Sequence, residues 1–239
     1  MKRIKSGIPG LDRLMKGGFP ERSVVLVSGE PGTGKTLFGL QYIYSGANNG
    51  EPGVYLSFEQ ESEELTEAIK PLGMDFPKLE KQNKARILRA KNVRDVTEVF
   101  EILGEQVKAI KAKRLVIDSL SSIEIFASTF KSMVKDLPPM TLERKFTFLP
   151  PSTAVIRRLL YHIIDYLKSL NVTTLLISEA RNNKYSRYGV AEFLSDGIIR
   201  LTAHKALDTR KLEIIKMRNT EHTLKPQTIQ ITKKGLMLV

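Results

Sequence analysis

Cysteine is absent from the 239 residues, and histidine occurs only three times. Without thiols there is neither a disulfide framework nor a thiolate metal site. His162, His204 and His222 lie too far apart for the local ligand spacing of a zinc site. No apolar run approaches the roughly 18 residues needed to cross a bilayer, which excludes a helical membrane protein. The start of the chain, through Lys2, Arg3 and Lys5, is basic but has no apolar stretch behind it, so a cytoplasmic location is expected and a signal peptide is not. Internal repeats and low-complexity tracts are also lacking.

Apolar residues and positive charge are plentiful. About 41% of residues are apolar, enough for a sizeable core, and a single domain over residues 1–239 is expected. Lys and Arg number 38 against 26 Asp and Glu, a net charge of +12. Such an excess suits either a solvated basic surface or a polyanionic partner such as nucleic acid.

Apolar runs alternate with helix-period segments, the pattern of βαβ units around a mostly parallel sheet. Strands are expected at 23–28, 53–58, 85–89, 114–118 and 173–178, and helices at 35–47, 63–72, 95–112 and 153–170. After Gly197 the texture changes to short strands at 198–202, 211–217, 228–232 and 236–239 with no helices between them, which predicts an antiparallel extension at one sheet edge. Residues 119–152, with Phe126, Phe130, Phe146 and Phe148, and the polar, basic residues 180–194 fit neither pattern. Loops of that length in a compact domain are commonly functional or disordered.

Gly29, Glu30, Pro31, Gly32, Thr33, Gly34, Lys35 and Thr36 fit G-x-x-x-x-G-K-[ST], after a buried strand and before a helix. Glycines let the backbone turn its N–H groups around a phosphate, and the helix that follows offers its positive end. Lys35 is then the cation for the β and γ phosphates of ATP or ADP, and the Thr36 hydroxyl a Mg²⁺ ligand. Asp118 closes an apolar strand; it is either a carboxylate that holds the Mg²⁺ shell through water, the reading the P-loop favours, or an Asp that caps a turn. Glu59 closes another; it is either a base that orients water or one surface carboxylate in a cluster with Glu61, Glu63 and Glu64.

Residues 6–20, 26–36, Leu40, Gln41, 50–59, 116–119 and 216–222 together resemble KaiC-like ATPases of the RecA superfamily, in particular their single-domain, archaeal-type members. The resemblance implies a RecA-type P-loop core with helices on both faces of the sheet, assembled as a hexamer with ATP at each subunit interface. Lys35, Thr36, Asp118 and Glu59 would act in cis, with Leu37 also at the nucleotide. Lys216 and Arg218 resemble the pair that reaches the neighbour's γ-phosphate, with Met217, Thr220 and His222 at the same interface. In a continued strand, residues 216, 218, 220 and 222 would share one face, although Asn219 and Glu221 suit a loop equally well.

The chain departs from the family in three places. Glu59 is followed by Gln60 rather than a second Glu, which favours slow hydrolysis, and Arg22 and Asn219 stand where the family has glycine. By the same resemblance, residues 119–152 and 180–194 would face the ring channel or an interface. Lys131, Lys135, Arg144 and Lys145 in the first stretch, and Arg181, Lys184 and Arg187 in the second, are then candidate contacts for single- or double-stranded DNA. Tyr185 and Tyr188 are candidate stacking platforms. Two functions stay open: a ring ATPase on DNA, modulating recombination or repair beside a recombinase, or a slow, nucleotide-gated ring that recruits a signalling protein. A small-molecule kinase shares only the P-loop motif.

Overall fold

A computed structural model describes residues 2–90, 96–126, 152–180, 184–187 and 189–239. The strands are β1 (Arg3–Ile4), β2 (Phe19–Pro20), β3 (Val24–Gly29), β4 (Gly53–Ser57), β5 (Ala85–Arg89), β6 (Arg114–Asp118), β7 (Thr173–Glu179), β8 (Gly197–His204), β9 (Thr209–Met217), β10 (Gln227–Thr232) and β11 (Gly235–Leu238). The helices are α1 (Leu11–Leu14), α2 (Lys35–Asn48), α3 (Ser62–Ile69), α4 (Phe76–Lys81), α5 (Val96–Ala109), α6 (Leu120–Phe126), α7 (Ser152–Ser169) and α8 (Ala191–Leu194).

Nine strands form one sheet in the order β11-β10-β9-β8-β3-β7-β6-β4-β5. Pairing is parallel from β8 through β5 and antiparallel from β8 out to β11, as the change of texture after Gly197 predicts. The central strands are buried along their length, so their side chains alternate between two apolar layers rather than between core and water. Val25, Val27, Tyr55 and Val116 meet Phe38, Leu40, Tyr42 and Ile43 of α2 in the first layer. Val24, Leu26, Leu56 and Ile117 meet Leu103 and Val107 of α5 and Leu160, Ile164 and Leu167 of α7 in the second.

Local signals set the element ends. Glu61 and Glu64 make a reciprocal capping box at the start of α3. The chain runs on through a 3₁₀ turn at Lys70–Leu72, and Gly73 stops it at φ +77°. Two features were not expected from the sequence: α4, capped by the Asp75 side chain, and the two-residue ladder of β1 with β2. The helix expected over 63–72 is shorter, and the one over 95–112 is described as α5, with Asp95 outside the described residues. Of the two stretches without assignment, 119–152 contains α6 and 180–194 contains α8. Lys131, Lys135, Arg144, Lys145, Arg181 and Tyr188, with the side chains of all four phenylalanines, lie outside the described residues.

Candidate nucleotide site

Four parallel strands deliver their C-terminal ends to one rim of the sheet. β3 ends in Gly29 and opens the P-loop, β4 leads into Glu59, β6 ends in Asp118, and β7 ends in Glu179. The strand register sets Gly29 beside Glu179 and Ser57 beside Asp118. Convergence of ligand groups at such a rim is the general rule for open α/β sheets.

The P-loop backbone needs its glycines. Gly32 and Gly34 lie at φ +80° and +99°, and a Cβ on Gly29 would meet the Leu201 carbonyl oxygen at 2.6 Å. Glu30 and Pro31 are exposed at the turn, and the Thr33 hydroxyl donates back to the Glu30 carbonyl at 2.8 Å. Helix α2 begins after Gly34 without a side-chain cap, so its first N–H groups point at the loop. Lys35 Nζ donates to the same Glu30 carbonyl at 3.0 Å. Burial lowers the Lys35 pKa, opposed by the carboxylates of Glu179, Asp118, Glu59 and Glu30 in that order. Leu37, two residues further on, rests against the first apolar layer.

Asp118 is the buried member of the cluster. Its Oδ2 accepts from the Thr36 hydroxyl at 2.9 Å and from the Tyr55 hydroxyl at 2.5 Å. Burial raises its pKa, while these two hydrogen bonds and Lys35 hold the ionised form. A hydroxyl and a carboxylate already in contact beside a phosphate loop are hard oxygen donors of the kind Mg²⁺ takes, so the residues present fit that ion.

Glu59 is exposed, but it is held. Its Oε1 accepts from Ser119 at 2.5 Å and from Ser122 at 2.9 Å. The turn that carries it is closed by the Ser57 hydroxyl, which donates to the Gln60 carbonyl at 2.7 Å. Of its two sequence readings, an oriented carboxylate at the rim describes the geometry better than a member of a surface cluster.

Lys216, Met217 and Arg218 stand elsewhere. Gly197, paired with Met217, lies beside Val25 at the start of β3, whereas the P-loop leaves its far end. Four residues of strand, roughly 13 Å, separate the two positions. They therefore lie away from this chain's own P-loop. Lys216 Nζ donates to the carbonyls of Ser195 at 2.6 Å and Glu192 at 3.1 Å. Arg218, half exposed, donates to Asp196 Oδ1 at 3.1 Å. The Met217 side chain is buried in the first layer.

The shared face considered for residues 216–222 does not form. β9 ends at Met217, and Asn219 turns the chain at φ +53°. Thr220 is carried back to the N-terminal ladder, where its hydroxyl oxygen accepts from Arg3 Nη1 at 2.5 Å. His222 Nδ1 sits 3.2 Å from the Thr223 carbonyl.

Of the candidate DNA contacts, Lys184 is exposed and Arg187 half-buried. Tyr185 is not an open stacking platform: its ring packs against the second apolar layer, with the Arg200 guanidinium 5.8 Å from the centroid. Sequence reading missed Glu179, because the strand there was ended at Ser178. It also missed Tyr55, a strand tyrosine that pairs with Val116 and reaches Asp118 with its hydroxyl, a contact that gives no signal in one dimension.

This fold and rim define a P-loop nucleotide-binding ATPase core of the RecA type. The family model for the KaiC ATPase matches residues 4–149 and 146–239, and the chain belongs to that family. It is 31% identical to a UPF0273 protein of Thermotoga maritima, covering 100% of this chain and 96% of that one. It is 33% identical over 93% of its length to 42% of the circadian clock oscillator protein KaiC of Prochlorococcus marinus. A crystal structure of a KaiC-like protein from Pyrococcus horikoshii superposes with a TM-score of 0.83 at 37% identity, covering 100% of this chain and 99% of that chain.

Proposed function

We propose that the chain is a Mg²⁺-dependent ATPase working as a ring of six, with each nucleotide between one copy's P-loop and the next copy's Lys216 and Arg218. The observation that carries this reading is the meeting of Lys35, Thr36, Asp118 and Glu59 at one rim, while the two further cations lie at the opposite end of the sheet. Heterologous contacts of that kind give a ring where the rotation between copies closes. Phe193, 71% exposed next to Arg218, is an apolar side chain that a neighbouring copy would cover.

The P-loop amides and Lys35 hold the β and γ phosphates. Thr36 would hold Mg²⁺ directly and Asp118 through water, and the ion would supply positive charge against the phosphates. Glu59, fixed through Oε1 by two serines, turns Oε2 to the attacking water and takes its proton. The new P–O bond forms as the bond to the β-phosphate oxygen breaks, and ADP leaves with that electron pair. Arg218 of the adjacent copy meets the charge that develops on the transferred group.

The net charge of +12 and the exposed Lys184 favour DNA as a polyanion on this ring. Gln60, in place of a second carboxylate, favours instead a slow ring that recruits protein partners according to nucleotide state. Both are decided by sizing the protein with and without ATP and measuring turnover with and without single-stranded DNA at low salt. DNA-stimulated turnover supports the first reading; slow turnover indifferent to DNA supports the second. Lys35→Ala should lose ATP binding or hydrolysis, and undiminished turnover in that variant would end the ATPase reading altogether.

A further inference from the structure

Around Asp196 three cations gather, two of them bonded to its carboxylate. Oδ1 accepts from Arg218 Nη1 at 3.1 Å and from Lys168 Nζ at 3.2 Å, and Lys216 stands close by on the Ser195 carbonyl. Oδ2 accepts the backbone N–H of Val24 at 3.0 Å, and the Asp196 N–H donates to the Val24 carbonyl at 2.7 Å. The Arg218 N–H in turn donates to the Asp196 carbonyl at 2.8 Å. The Asp196 side chain is 17% exposed, so this carboxylate is a fixed point and not a floating surface charge. Arg218 is 49% exposed, so its guanidinium is anchored at one side and open at the other. The cluster carries two more positive charges than negative, an excess that suits an incoming anion.

The strand geometry aims the second cation. Ile198 pairs with Lys216, but its neighbour Ile199 pairs with Ile214, so Ile215 is the extra residue of a β-bulge. Ile214 and Met217 both pack in the first layer, whereas Ile215 packs against the second. Without the bulge, Lys216 would share the face of Leu212 and Ile214 and point into that first layer. The inserted residue turns it instead to the side of α8, where backbone carbonyls receive it. Burial and the nearby Arg218 lower its pKa, as expected for a cation pressed against like charge.

We propose that Asp196 is the positioning residue for Arg218, and that the bulge at Ile215 sets Lys216 beside it, so that both cations are presented as one unit to the nucleotide of the neighbouring copy. The assignment rests on the interface reading above. It makes β3 a two-ended device: one end opens the P-loop of its own site, and the other, through Val24 and Asp196, fixes the cation that serves the next site. The crossover from Glu179 to Asp196 joins the same two ends.

Complementation in mixed assemblies tests this. Asp196→Asn keeps the size and an acceptor oxygen but loses the charge that holds Arg218. It should lower kcat at least tenfold with nucleotide Kd and thermal midpoint unchanged. Asp196→Glu, which restores the charge, should recover part of the loss. Co-expressed with Lys35→Ala, itself inactive, Asp196→Asn should regain turnover. In a random equal mixture, about one quarter of interfaces set an intact P-loop against an intact Arg218.

An Arg218→Ala and Lys35→Ala mixture is the control. Recovery in the control with full turnover of Asp196→Asn alone, or with no recovery in the Asp196→Asn mixture, would overturn the assignment and spare the interface reading. No recovery in the control would overturn both. If Asp196→Asn fails to fold, Asp196→Glu and Asp196→Ser enter the same mixtures, and a folded variant with full turnover is again the contrary result.

Discussion

Burial raises the pKa of Asp118, and two hydroxyls that donate to the same oxygen act against that shift. Tyr55 is wholly enclosed, and its own pKa is pushed well above the usual value, first by burial and then by the neighbouring carboxylate, so it stays a donor at any working pH. Tyr55→Phe removes that donor and leaves the ring in place. A hydrogen bond to a charged group is worth about 1.5–3 kcal/mol, so the variant should lose stability of that order in urea unfolding. It should also need more Mg²⁺ for half-maximal nucleotide binding, since the carboxylate is then held by Thr36 alone; an unchanged Mg²⁺ requirement would count against the role given to Asp118. Arg22 makes an opposite case. Its φ is +63°, and that of Asn219 is +53°. A left-handed conformation costs a residue with a side chain roughly 1–2 kcal/mol. Arg22→Gly should therefore stabilise the fold by about 1 kcal/mol, with the backbone bond from residue 22 to Thr173 Oγ1 retained.

Helix α2 shows how an element can violate its own propensities and be right. Three glycine-type positions interrupt or flank it, and Gly46 lies within its last turn. An alanine in an exposed helix gains about 1 kcal/mol over glycine. At Gly46 a Cβ would instead fall 2.1 Å from Arg114 Nε. Arg114 cannot swing away: it is buried, bonded to Glu51 and to the Tyr42 carbonyl, and stacked 4.6 Å from the Tyr42 ring centroid. Gly46→Ala should thus destabilise by about 1–3 kcal/mol, the range for overpacking, and a urea midpoint at or above that of the parent would refute the account. The same elements show what is legible in one dimension. The buried strands, the P-loop and the antiparallel edge could be read because each is a local run or motif. The Lys216 side could not, because the bulge at Ile215 shifts parity through a pairing made with Ile199. Glu179 escaped for a related reason: only the register beside Gly29 makes it part of the site.

At the scale of the molecule, the interface reading gives each chain one half of two different sites. Among the described residues, Lys35 is the cation set among the rim carboxylates, Arg89 at the end of β5 is tied to Glu61 and the Ser57 carbonyl, and the cations around Asp196 outnumber its one carboxylate. An isolated copy should accordingly bind ATP through the P-loop but stabilise the transferred phosphoryl group poorly. Supplying an arginine from outside a phosphoryl-transfer site is worth about 10³–10⁵ in rate. Turnover per subunit should therefore rise with protein concentration as copies assemble, and fall below about 1% of its plateau once dilution leaves monomers. Sizing by light scattering along the same dilution series fixes where assembly occurs, so the two curves should coincide. A neighbour that covers Phe193 buries a large aromatic surface, so Phe193→Asp should move both curves together to higher concentration. Specific activity that stays constant while the particle shrinks would mean that one chain completes its own site. Lys216 and Arg218 would then be structural cations of the β8–β9 edge.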